Sequence, residues 1–181
     1  SNGTYTAKDT IRINIDFNEV SFVEEKPKLE FRDGAIYLGA ANYSNGSGTK
    51  TLDFIYVVTE KHNTSDLDYV SENSLILNGG SIKDFVGNNA NLALPNPGAE
   101  GSLGANKDIV IDNIGPSVSS VSSSTNDGAY KSGGVIVITV TLNENTIVTG
   151  NPQIELETGV TDGLGIYSSG SGSSTLSFNY T

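Results

Sequence analysis

Apolar and polar residues alternate along several stretches of the chain with a period of two residues. In the stretch TIRINIDF, the apolar side chains lie on one face of an extended chain, at Ile11, Ile13, Ile15 and Phe17. The polar residues Arg12, Asn14 and Asp16 lie on the other face. This period is typical of a β-strand that is buried on one side and exposed on the other.

Further stretches have the same character. TLDFIYVV and STLSFNY alternate in the same way, and the short apolar stretches KLEF, QIELE, SLILNG, NLAL and DIVID are separated by turns rich in Gly, Asn and Pro. No stretch predicts a convincing helix. About seven short strands per repeat favour an all-β fold, an immunoglobulin-like antiparallel β-sandwich with Greek-key topology. A closed barrel is the alternative.

The two halves of the chain match each other. The stretch from Asn2 to Gly34 aligns without a gap with a stretch of the second half, so that Gly3 corresponds to Gly128, an offset of 125 residues. After a slip of one residue, YSNGSGTKTLDFIYV aligns with YSSGSGSSTLSFNYT. The chain therefore reads as tandem repeats with a period of about 124 residues.

The alignment also predicts the domain boundaries. We expect a first repeat at residues 1–113 that lacks its opening strand, and a second repeat at residues 114–181 that lacks its C-terminal strands. Two explanations are open for the incomplete ends. Either the sequence is a window of a longer array, or strands of a neighbouring molecule complete each unit, as in donor-strand polymers.

Composition narrows the range of functions. The formal net charge is −11, which disfavours nucleic acid and anionic lipid as partners. No apolar run approaches the roughly 20 residues of a membrane-spanning helix, so we expect no membrane insertion in this segment. The chain has no cysteine. Many acidic residues without cysteine fit an extracellular setting, where millimolar calcium can bridge carboxylates.

The quoted segments resemble a known family. NGTYTAKDTIRINIDFNEV, PKLEFRDG, YSNGSGTKTLDFIYV, SDLDYVSENSLILNGGSIKDFVGNNANLALP and GSLGANKDIVID are similar to motifs of tandem bacterial immunoglobulin-like repeats in giant surface and secreted proteins. The resemblance covers the whole chain and implies a stalk, spacer or adhesive array at the cell surface.

Candidate catalytic groups are few. His62 is the only histidine, and its polar neighbours in EKHNTSD predict an exposed loop residue. No GxSxG nucleophile elbow occurs, and GSGTKT lacks the spacing of a phosphate loop and fits a tight turn between strands better. We therefore expect a protein that is not an enzyme.

Calcium is the candidate cofactor, because acidic and amide side chains follow several predicted strands. The strand directions predict that Asp66 and Asp68 approach the linker to the next repeat. The predicted interdomain site is made by Asp112, Asn113 and Glu144, with Asp108, Asp66 and Asp68 nearby. A second predicted group, at the opposite end of the first repeat, holds Glu19, Asp84 and Asn88. Asp and Asn also shape turns through bonds to the backbone, which is the alternative explanation.

These observations predict a structural or adhesive repeat that acts as a rod or spacer in an extracellular bacterial surface or filament-forming protein. Its partners would be neighbouring repeats or copies of itself, and a cell-surface glycan or protein. The alternative is a β-sandwich module that binds carbohydrate or another ligand, for which exposed aromatic side chains on one face are expected.

Overall fold

The computed structural model describes residues 2–33 and 35–181. Strands account for 50% of the residues and helix for 2%, so the fold is all-β, as predicted. The chain divides into two compact units, Ser1–Ile114 and Gly115–Thr181. Each unit is described by itself below.

The first unit is built on a long antiparallel sheet. Its elements, in chain order, are β1 (Gly3–Tyr5), β2 (Thr10–Glu24), β3 (Lys28–Asp33), β4 (Ile36–Asn45), β5 (Thr49–Val57), β6 (Leu75–Ile76), β7 (Ser81–Lys83), α1 (Leu103–Asn106) and β8 (Ile109–Ile111). The strand order in the sheet is β6-β3-β4-β5-β2-β7. Strand β1 pairs separately with β8, and this pairing is parallel.

The apolar faces of these strands meet in one core. On β2, Ile11 and Ile13 are buried. In the antiparallel ladder they lie opposite Tyr56 and Phe54 of β5. The same core includes buried residues of the second half of the unit, which are Leu67, Tyr69, Leu75, Ile82, Ile109 and Ile111. The alternation read from the sequence therefore marks the buried face.

The second half of the first unit has less regular structure than expected. SLILNG forms only the two-residue strand β6, and NLAL forms no strand. The four-residue helix α1 was not predicted; Ser102 caps it by accepting a hydrogen bond from the Ala105 N–H at 3.1 Å. Local side-chain to backbone hydrogen bonds replace sheet ladders here, since Asn, Asp and Ser offer the backbone alternative partners.

The second unit contains a five-stranded antiparallel sheet. Its strands are β9 (Val118–Ser123), β10 (Ile136–Thr146), β11 (Gln153–Leu156), β12 (Gly163–Ser169) and β13 (Ser173–Tyr180), in the order β11-β12-β13-β10-β9. Its buried cluster is small and consists of Ile138, Val140, Leu176 and Phe178. All six residues of β9 are exposed.

The two sheets share their register. Ile13 lies opposite Phe54 in the first unit, and Ile138 lies opposite Phe178 in the second. The hairpin turns are also alike, because the Tyr43 hydroxyl accepts the Ser47 N–H at 2.9 Å and the Tyr167 hydroxyl accepts the Ser171 N–H at 2.9 Å. We call this contact the tyrosine clasp. The first three residues of GSGTKT thus form the turn between β4 and β5, and its TKT begins β5.

The turn needs glycine at Gly46. Its φ is +109°, a region that side chains disfavour, and a Cβ at this position would lie 2.2 Å from the Thr51 carbonyl oxygen. Gly170 has the same geometry in the second unit, with φ +113° and a Cβ position 2.1 Å from the Thr175 carbonyl oxygen.

Candidate functional site

The structure brings two of the predicted calcium ligands together. Asp66 and Asp68 flank the buried Leu67, whose N–H donates to the Ile109 carbonyl at 2.8 Å. This bond fixes the segment against β8. A Cβ at Gly104 would lie 3.0 Å from one carboxylate oxygen of Asp68 and 3.2 Å from one of Asp66. Both carboxylates therefore converge on the same face of α1, at a position where a side chain would crowd them.

The Asp68 carboxylate also holds the backbone around it. Its Oδ1 accepts the Tyr69 N–H at 2.9 Å, and its Oδ2 accepts the Gly98 N–H at 3.0 Å. The second bond joins positions 30 residues apart in sequence. Asp68 thus has a structural role that the sequence did not reveal.

Asn113, at the end of the first unit, joins separate chain segments through its side-chain hydrogen bonds, and we call this contact the Asn113 staple. Its Oδ1 accepts the Ala7 N–H at 2.6 Å, and its Nδ2 donates to the carbonyls of Thr59 at 3.2 Å and His62 at 2.7 Å. Its own N–H donates to the Asn63 side chain at 2.6 Å. The amide therefore ties three chain segments together, and these bonds use both of its polar atoms.

The neighbouring aspartates each accept one hydrogen bond, Asp112 from within its own turn and Asp108 from the start of the chain. Asp112 accepts the Ile114 N–H at 3.0 Å, which is a turn of the kind that Asp favours. Asp108 accepts a hydrogen bond from the side chain of Asn2 at 3.3 Å. Glu144 belongs to the second unit, at the end of β10, so the proposed ligand set of Asp112, Asn113 and Glu144 stays a prediction.

The other predicted group is centred on Asp84. Its carboxylate accepts the N–H groups of Val86 and Asn88, at 2.9 and 2.8 Å, and the Asn88 side chain at 2.7 Å. Desolvation acts to raise the pKa of Asp84, but the hydrogen bonds from Asn88, Val86 and Gly87 outweigh it and lower the pKa below its ordinary value. Glu19 lies on β2, three residues before Phe22, which pairs with Lys83. Asp84 and Asn88 thus form a closed turn.

The acidic side chains among the described residues are spread too widely to form a complete metal site by themselves. Within the described ranges, 2–33 and 35–181, no three His, Asp or Glu side chains are grouped so that they could hold one. Asp66 and Asp68 are the predicted pair of carboxylates that the first unit places at one spot, whereas Asp84 and Asn88 are bonded to each other. A calcium site would need further oxygen atoms beside this pair, since the ion takes six to eight.

His62 is not an exposed loop residue, and that prediction was wrong. Only 3% of its surface is exposed, and Nδ1 lies 2.7 Å from the hydroxyl of Tyr56. Its ring also packs on Phe31, with centroids 5.8 Å apart. Burial lowers the pKa of His62 and raises that of Tyr56, so both groups stay neutral near pH 7. The polar neighbours Lys61 and Asn63 concealed this burial in the sequence.

Comparisons with protein-family models, with curated proteins and with solved structures found no match to this chain. No helix among the described residues is long and apolar enough to cross a membrane.

Proposed function

We propose that the chain is part of an array of immunoglobulin-like Greek-key sandwiches, which acts as a rod or spacer in an extracellular bacterial surface or filament-forming protein. The resemblance of its motifs to tandem surface repeats supports this function. In such an array, the neighbours of each unit are other repeats of the same kind.

One observation carries the proposal: the two units share the residues that build a module. The buried pairs Ile13–Phe54 and Ile138–Phe178 stand in the same register, and the tyrosine clasp and the glycine turn recur. Selection for a repeated mechanical element keeps core and turn residues in every copy, because each copy must fold on its own and against its neighbours. The antiparallel pairing of neighbouring strands in the six-stranded and five-stranded sheets is compatible with a β-sandwich.

The rod is tested by scattering from arrays of residues 1–124 repeated two, four and eight times. We expect the largest dimension of the particle to grow in proportion to the number of copies, because a linker of a few residues keeps consecutive units in line. An array joined by long Gly/Ser linkers is the control and should grow more slowly, roughly as the square root of the number of copies. Equal growth in the two arrays would contradict the rod.

Calcium binding belongs to the same proposal. The convergence of Asp66 and Asp68 beside β8 supports it, since two carboxylates at one spot attract a divalent cation. We expect millimolar calcium to raise the melting temperature of the whole chain, and D66N/D68N to abolish the rise. E155Q, which changes an exposed acid of the second unit, is the control. If calcium gives no heat in calorimetry and no rise in melting temperature, calcium is not a ligand here.

A binding module is the second candidate, and an exposed aromatic pair favours it. Phe85 is 85% exposed and Phe22 is 40% exposed, and their ring centroids lie 6.2 Å apart. Exposed aromatic rings can stack on the apolar faces of sugars. A glycan array probed with the wild-type chain and with F22A/F85A tests this; Y130A, at an exposed aromatic of the second unit, is the control.

A further inference from the structure

Strands β1 and β8, which lie at the two ends of the first unit, pair with each other. Their register places Gly3 opposite Ile109 and Tyr5 opposite Ile111, and the two strands run in the same direction. They form a sheet of their own, separate from the six-stranded sheet. The pairing therefore joins the start of the unit to its end.

Hydrogen bonds hold both ends of this pair. Where the two strands begin, the Gly3 N–H donates to the Asp108 carbonyl at 3.0 Å. Where they end, the Asp112 N–H donates to the Tyr5 carbonyl at 3.0 Å. The Asn113 staple adds a further bond just beyond, to the Ala7 N–H at 2.6 Å. The two chain segments are thus bonded at the start of the pair, at its end and after it.

Strand β8 is fixed to the body of the unit. Ile109 and Ile111 are each only 1% exposed and belong to the first core. On the other edge of β8, Ile111 exchanges two backbone hydrogen bonds of 2.9 Å with Thr64, and the Ile109 carbonyl accepts the Leu67 N–H at 2.8 Å. Strand β1 pairs with β8 alone in its sheet. A pull on β1 is therefore resisted by its bonds to β8, which the core holds in place.

The parallel direction of the two strands decides how a load acts on them. In an array, tension enters the unit before Gly3 and leaves it after Ile111, so it draws the strands in opposite directions along their own axes. Ladder hydrogen bonds bridge the gap between the strands, so this sliding stretches all of them together. Peeling from one end would instead load the bonds one after another. A strand upstream of β1 would be loaded before it, and its release would pass the load to β1.

We propose that β1, β8 and the Asn113 staple together form a shear clamp, which lets the unit carry tension without unfolding. The inference rests on the proposed array for the origin of the load, and it adds a load-bearing function to that of a spacer. The clamp itself belongs to a single unit, because every bond that builds it joins residues of the first unit. Its strength can therefore be measured on this chain alone.

The clamp is tested by pulling single molecules of the whole chain between two introduced cysteines, since the natural chain has none. N2C/G115C, coupled to handles in reducing buffer, loads the pair in shear. N2C/K107C is the matched control, because residue 107 lies beside the start of β1 and the same strands are then peeled apart from that end. All three positions are exposed, and a Cβ at Gly115 meets nothing within 4 Å.

The two pulling directions should differ in force. At one pulling speed, we expect N2C/G115C to need at least about twofold more force than N2C/K107C, because several bonds share the load in shear and one bears it in peeling. Each event is identified by the length that it releases, up to about 3.6 Å for every residue between the cysteines. Equal forces in the two directions would overturn the proposal.

Substitutions in the shear direction separate the clamp from general stability. N113A should lower the unfolding force by roughly a quarter, since one of the few bonds that share the load is lost. G46A and the milder Y43F weaken the β4–β5 hairpin and leave the clamp intact, so the force should stay close to that of the N2C/G115C parent. An unchanged force in N113A, or an equal loss in the hairpin variants, would overturn the clamp as the element that bears the load.

The rod and the clamp can fail independently. Scattering from the arrays judges whether consecutive repeats stay in line, whereas pulling measures the resistance within one unit. Linear growth of the arrays with equal forces in the two pulling directions would keep the rod and reject the clamp. A clear difference between the pulling directions without linear growth would keep the clamp and reject the rod.

Discussion

The buried pair of His62 and Tyr56 makes the stability of the first unit depend on pH. His62 is buried among the aromatic rings of Tyr56 and Phe31, and its pKa is lowered by desolvation. The unfolded chain therefore binds a proton at a higher pH than the folded chain does. Stability from this group is fully present above the unfolded pKa of about 6.5 and is lost as the pH falls from there towards the lower folded pKa.

The size of this pH dependence follows from the binding of one proton to His62. Between the two pKa values, the free energy of unfolding should fall by up to about 1.4 kcal/mol for each pH unit. The variant H62Q keeps a polar side chain that does not titrate, so it should lack this slope. The difference between wild type and H62Q isolates the histidine from the carboxylates, which titrate at lower pH.

The hydrogen bond between the two side chains can be tested separately. Y56F removes the hydroxyl and leaves Nδ1 of His62 buried without that partner. An unsatisfied buried polar atom costs about 1–3 kcal/mol, so Y56F should lower the free energy of unfolding by that amount at pH 7.5. Y43F removes the hydroxyl of a turn residue and serves as the comparison.

The assay must report on the first unit, because two units need not unfold together. We would follow urea unfolding between pH 5 and 8 by the isoleucine methyl signals of Ile11 and Ile13, which lie in the first core. Parallel pH dependence of wild type and H62Q between pH 5 and 6.5 would refute the buried neutral histidine.

Three further substitutions test the turn and the staple, each by urea unfolding. G46A should destabilise the first unit by more than about 2 kcal/mol, since the methyl group would meet the Thr51 carbonyl at a positive φ. The control G79A, at φ +88° with nothing within 4 Å, should cost about 1 kcal/mol. Similar losses from the two variants would count against the clash. N113A removes three side-chain hydrogen bonds and should cost about 3 kcal/mol, and a loss below 1 kcal/mol would show that water replaces them. Y43F breaks the tyrosine clasp at the Ser47 N–H and should cost about 1 kcal/mol; an unchanged midpoint would contradict a stabilising clasp.

The sequence predicted the sheet better than the rest of the fold, and the reason is physical. A strand that is buried on one side must alternate, so Ile11, Ile13, Phe54 and Tyr56 reveal their buried face directly. NLAL alternates as well, but its Ala93 N–H donates to the Asn91 side chain and its Leu94 N–H to the Glu72 carbonyl, and it forms no strand. The alternation of apolar and polar residues indicates which side chains are buried, but a segment can bury its side chains without forming the backbone hydrogen bonds of a sheet.

The predicted site residues also differ in how much of their surroundings the sequence could predict. Strand directions led us to expect Asp66 and Asp68 near the end of the first unit, and the structure places them beside β8. The role of Asn113 could not be read from the sequence, because its partners Ala7 and Thr59 are set by the tertiary fold. His62 was misjudged because neighbours in sequence say little about burial where a chain turns back over its core.

The tyrosine clasp has a consequence for the order in which the module folds. It joins residues four apart in sequence, within a hairpin whose strands β4 and β5 are adjacent along the chain. Contacts at such short separation cost little loop entropy and form within microseconds. We expect this hairpin to form early in each unit. In the first unit, pulse-labelled hydrogen exchange would detect it as early protection of the Asn42 and Ile55 N–H groups, which face each other across β4 and β5. In the array that we propose, each copy would then begin to fold from its own hairpin while the rest of the chain is still being made.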